Sequence, residues 1–123
     1  SIVGNGVNLW MVTGNTFSYV NFTNNGGTGI SIYQGDSNIF DFIRTEGNLV
    51  GVSIGGSSGN YGQLNEFTNS FFNDTTDVNF GRSSSNYFYE NYFLNLIFQR
   101  MHQIKYCLTE SLTFFHRTLT LHL

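Results

Sequence analysis

The chain has no proline, a single cysteine and few charges, with Asp, Glu, Lys and Arg making up 11% of its 123 residues. One cysteine, Cys107, excludes an intrachain disulfide and says little about compartment. No run of 18 apolar residues occurs, so no segment reads as a membrane-spanning helix, and no signal peptide is legible. Bases are scarce where nucleic acid would need them. Residues 1–95 carry only Arg44 and Arg82 against seven acids, and the whole chain has a net charge of −3. An acidic body without a basic stripe argues against nucleic acid as a partner. Helical periodicity is also missing before residue 96.

What remains is rich in Asn, Gly and aromatic residues, and it repeats. An aliphatic residue, a spacer, an aliphatic or Phe, five residues and Asn recur as Val7/Leu9/Asn15, Ile30/Ile32/Asn38, Val52/Ile54/Asn60 and Val78/Phe80/Asn86. Successive starts lie 23, 22 and 26 residues apart. A period in that range marks a solenoid. Two residues after the Asn stand Phe17, Phe40, Gly62 and Phe88, and seven after stand Phe22, Thr45, Phe67 and Phe93. Short stretches that alternate at period two, separated by Asn, Gly and Ser, predict three short strands per coil. Asn and Gly at the corners suit the left-handed backbone that tight turns require. The expected fold is all-β: a parallel β-helix of about four coils over 1–95, with Asn15, Asn38, Asn60 and Asn86 as a structural ladder.

The phrases Asn24-Asn25-Gly26-Gly27-Thr28-Gly29-Ile30, Ser57-Ser58-Gly59-Asn60 and Ser83-Ser84-Ser85-Asn86 resemble the repeats of right-handed parallel β-helix proteins. That group is the pectin-lyase-like superfamily, and the NosD-like repeats are nearest in texture. The resemblance covers 1–95 and implies a right-handed coil. It implies less about activity, since the superfamily includes lyases, hydrolases, epimerases and adhesins. An extracellular, cell-surface or periplasmic location follows from the likeness and from an exterior of Asn, Ser, Thr and Gly. Ile2-Val3-Gly4-Asn5 fits the end of a preceding coil, so further β-helix coils of the same protein are expected.

From Leu96 the composition changes: every Asn and Gly precedes it, while all three His, Cys107 and the only Lys follow it. The tail 96–123 has three readings. Ile97, Met101, Ile104, Leu108, Leu112, Phe115 and Leu119 recur at steps of three or four, as in an amphipathic capping helix. Alternatively, Ile104, Tyr106, Phe114 and Leu119 lie 26 residues after Val78, Phe80, Phe88 and Phe93, as in a degenerate fifth coil. Or the tail is non-native sequence.

With Asn60 in the ladder, residues one, three and six after each Asn face outward. The columns are then Thr16, Ile39, Tyr61, Tyr87; Ser18, Asp41, Gln63, Tyr89; and Asn21, Arg44, Glu66, Tyr92. Tyr61, Tyr87, Tyr89 and Tyr92 with Asp41, Gln63, Arg44 and Glu66 could stack sugar rings and hydrogen-bond hydroxyls. The competing reading is that exposed Tyr simply suits strands. Arg44 and Glu66 are expected to pair across adjacent coils, at roughly 0 to 1 kcal/mol for an exposed pair. The longer 26-residue step predicts a bulging loop at Phe71–Asp77, where Asn73, Asp74 and Asp77 offer oxygen ligands; calcium is the one cofactor such a loop could take. Asn21-Phe22-Thr23 and Asn73-Asp74-Thr75 match the N-glycosylation pattern.

No catalytic set is legible. The paired-Asp and Gly-His-Gly motifs of polygalacturonases are absent, and without proline so is the Asp-Pro-His motif of alginate epimerases. His102, His116 and His122 all lie in the tail and fit no common zinc spacing. The expected function is an extracytoplasmic β-helix scaffold or carbohydrate-binding surface, with a polysaccharide or cell-surface glycan as partner. The alternatives are a piece of a polysaccharide lyase or glycoside hydrolase whose catalytic coils lie elsewhere, and a purely structural spacer.

Overall fold

A computed structural model describes residues 4–57, 59–98 and 114–121. The first coil holds β1 (Val7–Trp10), β2 (Thr16–Ser18) and β3 (Asn21–Thr23), and the second β4 (Thr28–Tyr33), β5 (Ile39–Asp41) and β6 (Arg44–Glu46). The third holds β7 (Val50–Gly55), β8 (Gly62–Gln63), β9 (Glu66–Thr68) and β10 (Phe71–Asn73). The fourth holds β11 (Thr76–Phe80), β12 (Ser83–Ser84), β13 (Tyr87–Tyr89) and β14 (Asn91–Phe98), and β15 (Phe114–Leu121) follows. Among the described residues all strand pairs are parallel, and equivalent strands of successive coils neighbour one another. The protein is a parallel β-solenoid of about four turns.

Each coil has four faces rather than three. The first is the row β1-β4-β7-β11, the third β2-β5-β9-β13, and the fourth β3-β6-β10-β14 with β15 beyond. The additional second face is short: bridges join Thr13 to Asp36 and Asp36 to Gln63, and β8 pairs with β12. Its polar residues lack the apolar alternation that announces a strand.

The corners explain why the chain can turn so tightly. Gly14, Ser37, Leu64 and Ser85 have φ between 53 and 76°, and each precedes an Asn of one ladder. Tyr19, Phe42, Asn69 and Glu90 repeat the left-handed geometry at the next corner. The ladder itself is Asn15, Asn38, Asn65 and Asn86. Both the backbone N–H and the side-chain Nδ2 of Asn15 donate to Oδ1 of Asn38, at 3.0 Å each. Asn38 repeats this to Asn65, and Asn65 to Asn86. The Nδ2 groups of Asn38, Asn65 and Asn86 also donate to the carbonyls of Val12, Gly35 and Gly62 in the preceding coil.

Asn60 is therefore not a rung, contrary to the expected spacing. Nine residues separate Val7 from Thr16, Ile30 from Ile39 and Val78 from Tyr87, but fourteen separate Val52 from Glu66, the equivalent pair of the third coil. The five extra residues form a small loop after Gly55, closed by an antiparallel bridge between Ser57 and Asn60, with Gly59 at φ 80°. The insertion lies there and not at Phe71–Asp77, which β10 and β11 largely occupy.

The same shift re-sorts the core. Phe17, Phe40, Phe67 and Phe88 stack nearly coplanar, at 5.0, 4.5 and 4.7 Å between ring centroids. Phe67 takes the place expected of Gly62, and Phe72 follows Phe22 and Thr45 in the fourth face, stacked on Phe93 at 4.8 Å. Aliphatic columns ending in Val78 and Phe80 fill the first face. In the tail, β15 pairs with β14 at an offset of 23, from Asn91↔Phe114 to Phe98↔Leu121. Residues 114–121 are thus strand, which departs from the capping-helix reading of the three, and the register sets His116 beside Phe93, where the fifth-coil reading put Leu119. The helix positions Met101, Ile104, Leu108 and Leu112, together with Cys107, His102 and His122, lie outside the described residues.

The register makes a direct prediction. Asn65→Ala strips the partners of two buried backbone groups and should cost about 2 to 4 kcal/mol, whereas Asn60→Ala should stay within about 0.5 kcal/mol. Urea midpoints of the two variants check this; equal losses would restore Asn60 to the ladder. Ser83 Oγ is buried with no hydrogen-bond partner. Ser83→Ala should therefore leave stability unchanged or raise it, because an unpaired buried hydroxyl is itself a cost of about 1 to 3 kcal/mol.

Candidate functional site

The eight residues expected to form one patch divide among three faces. Tyr87 and Tyr89 lie on β13, 39% and 49% exposed, with Phe88 between them turned into the core. The true outward rows of that face are Thr16, Ile39, Glu66, Tyr87 and Ser18, Asp41, Thr68, Tyr89. Asp41 therefore shares the row of Tyr89 two rungs away, about 10 Å along the stack. Its Oδ1 accepts hydrogen bonds from Thr68 Oγ1 at 2.7 Å and Asn69 Nδ2 at 3.1 Å. Tyr61 and Gln63 stand at the second face after the inserted loop, where Gln63 N donates to Asp36 Oδ1 at 3.2 Å.

Arg44 and Tyr92 turn out on the fourth face, in the row Asn21, Arg44, Phe71, Tyr92. Arg44 does not pair with Glu66. Its Nε donates to Glu46 two residues on, at 3.0 Å, and its guanidinium lies 4.3 Å from the Phe71 ring centre. Phe71 in turn stacks on Tyr92 at 5.6 Å. The hydrogen bond from Arg44 holds the Glu46 carboxyl below its ordinary range. The missing cross-coil pair follows from the shifted register, which puts Glu66 between Ile39 and Tyr87.

Asn73, Asp74 and Asp77, expected as loop ligands, belong to a second polar ladder instead. Backbone N–H and Nδ2 of Asn25 donate to Asn48 Oδ1, and those of Asn48 donate to Asp74 Oδ1. Asp74 Oδ2 takes the Thr45 hydroxyl at 2.6 Å. Asp77 accepts the N–H of Asp74 at 2.9 Å and that of Asn95 at 2.5 Å. Asn73 gives Nδ2 to Glu46 and accepts from Asn95. Both Asp side chains are buried, with their oxygens turned to backbone and ladder donors. Such carboxylates serve the fold; among the described residues no three His, Cys, Asp or Glu side chains cluster as a metal site. No described helix is long and apolar enough to cross a membrane.

Sequence reasoning missed one feature of the outer surface. On the first face Trp10 and Tyr33 pair in register and meet edge to face at 6.3 Å. With Asn8, Leu9 and Ser31 they line a shallow groove of about 220 Å³. The signal was the outward positions of β1 and β4, which alternate with the aliphatic residues that defined the repeat. No protein-family model, curated protein or solved structure matches the chain.

Burial raises the pKa of Asp77 to about 7 against the hydrogen bonds that favour its charged form, and raises that of Asp74 in the same direction. The folded state thus holds these protons more tightly than the unfolded chain, so the contribution to stability is complete below about pH 4 and is lost as pH rises through about 7. For Asp77 the full swing is on the order of 4 kcal/mol. The urea midpoint should fall between about pH 4 and 7 and level off above, and Asp77→Asn should flatten that fall. A wild-type midpoint that rises over this interval would contradict the assignment.

Proposed function

We propose that the chain is a non-catalytic carbohydrate-binding module built on a β-helix scaffold, working outside the cytoplasm. The observation that carries this reading is the pair Tyr87 and Tyr89, outward on one strand and about 7 Å apart along it. Held by a rigid stack, two such rings are fixed platforms, and a sugar ring packed on one loses little entropy from the protein side. Asp41, Thr68 and Asn69 offer hydrogen-bonding groups along the same stack. The likeness of the Asn- and Gly-rich phrases to pectin-lyase-like and NosD-like repeats supports the same reading. Arg44, the base that a lyase of that kind would need, is engaged by Glu46 and Phe71. That favours binding over catalysis in these coils.

A glycan array probed with the full chain tests the proposal. Selective binding is expected, weakened at least about tenfold by Tyr87→Ala/Tyr89→Ala, with the urea midpoint of that variant within about 0.5 kcal/mol because both rings are exposed. A folded protein that retains no glycan would leave these tyrosines as ordinary strand-forming surface residues.

A further inference from the structure

The first face carries a surface unlike the one around Tyr87 and Tyr89. Its four strands contain a single charged residue, Asp77, and that one is buried. Between the inward Ile, Val, Leu and Phe side chains, the outward positions form two rows in register. One row is Asn8, Ser31, Ser53 and Asn79, a ladder of amides and hydroxyls. The other begins with Trp10 and Tyr33, 70% and 42% exposed, and continues with Gly55.

That second row changes height in one step. Tyr33 stands against Gly55, where a Cβ would meet nothing within 4 Å, and the inserted loop follows directly. The loop is tied back by Gln34 Nε2 donating to Ser57 Oγ at 2.5 Å. An aromatic wall beside a polar row makes a shallow trough at Trp10 and Tyr33, and beyond it the polar row runs on to Ser53 and Asn79. At about 220 Å³, the part beside Trp10 is smaller than the roughly 300 to 1,000 Å³ of pockets that enclose a compact ligand. It suits a chain lying across it.

We propose that this trough binds an uncharged glycan chain, one hexose packed against Trp10 and Tyr33 and the next units hydrogen-bonded by Ser31, Ser53 and Asn79. The assignment rests on the carbohydrate-binding reading above but names a different face and the class of sugar. Charge decides the class. A uronate or sulfated chain would bring anions to a face that offers no cation, on a protein of net charge −3. Neutral hydroxyls match amides and hydroxyls that both donate and accept, and aromatic faces take the apolar C–H faces of the sugar.

Trp10 is the only tryptophan in the chain, so its emission reports on this trough alone. The full chain would be titrated with hexamers of β-1,4-glucan, β-1,4-mannan and α-1,4-glucan, and with hexagalacturonate. A saturable emission change with at least one neutral hexamer, and none with the uronate, is expected. Tyr33→Ala should weaken it roughly tenfold, and Gly55→Tyr, which has room for a side chain, should tighten it by lengthening the aromatic row. Absence of any response to the neutral hexamers, or an equal response to the uronate, overturns the assignment. If array binding depends on Tyr87 and Tyr89 while Trp10 emission stays constant, the trough assignment falls and the carbohydrate-binding function stands. If neither assay detects glycan, both fall.

Discussion

Everything in this protein depends on how the corners satisfy their backbone. A solenoid coil must turn sharply four times, and at the second turn the N–H of the residue after the left-handed position points along the stack with no backbone carbonyl to receive it. Asn solves this with one side chain. Asn65 shows the full set: its Oδ1 takes two donors from Asn38, while its Nδ2 gives one hydrogen bond to Gly35 and one to Asn86. Each unpaired buried group would cost about 1 to 3 kcal/mol, and a linked chain of amides polarises its members in the same sense. The residue just before each Asn takes the left-handed conformation at Gly14, Ser37, Leu64 and Ser85, only the first of which is glycine. Repetition through the stack outweighs the local strain of the other three.

The polar ladder also fixes the apolar core. In all four coils the Asn is followed two residues later by an inward Phe, which places Phe17, Phe40, Phe67 and Phe88 directly above one another. Where the second ladder changes from Asn to Asp, its neighbours are small. Thr45 interrupts the Phe22 column and hydrogen-bonds Asp74, and a side chain on Gly51 would run into the Asp74 carboxylate. The buried acid is thus accommodated by two small residues and by N–H donors, yet desolvation still raises its pKa.

Inward positions are committed to these columns, which leaves function to the outside. Outward residues contribute little to stability, so the same stack can present Tyr87 and Tyr89 on one face, an Arg44–Phe71–Tyr92 pile on the next and an uncharged trough on the first. The fold supplies rigid spacing of about 4.8 Å between rungs and is indifferent to what stands there.

The chain by itself determined its architecture, because alternation and a recurring corner residue are local properties. Asn15, Asn38 and Asn86 were legible as rungs, and so was parallel stacking. In the third coil the spacing from Val52 points to Asn60 and not Asn65, because an insertion that spacing cannot reveal lies between strand and corner. The repeated Asn-x-Phe of Asn15, Asn38, Asn65 and Asn86 was the better guide, since it joins the corner to the core on the same side of the loop. Which residues share a face could be decided only by the tertiary structure. Five residues looped out after Gly55 move every later column of that coil, so Tyr61, Gln63 and Glu66 leave the rows expected of them, and Glu66, Thr68 and Phe71 take those places. An outward column is a relation between coils far apart in sequence, and hydrogen bonding between coils, not spacing along the chain, sets it.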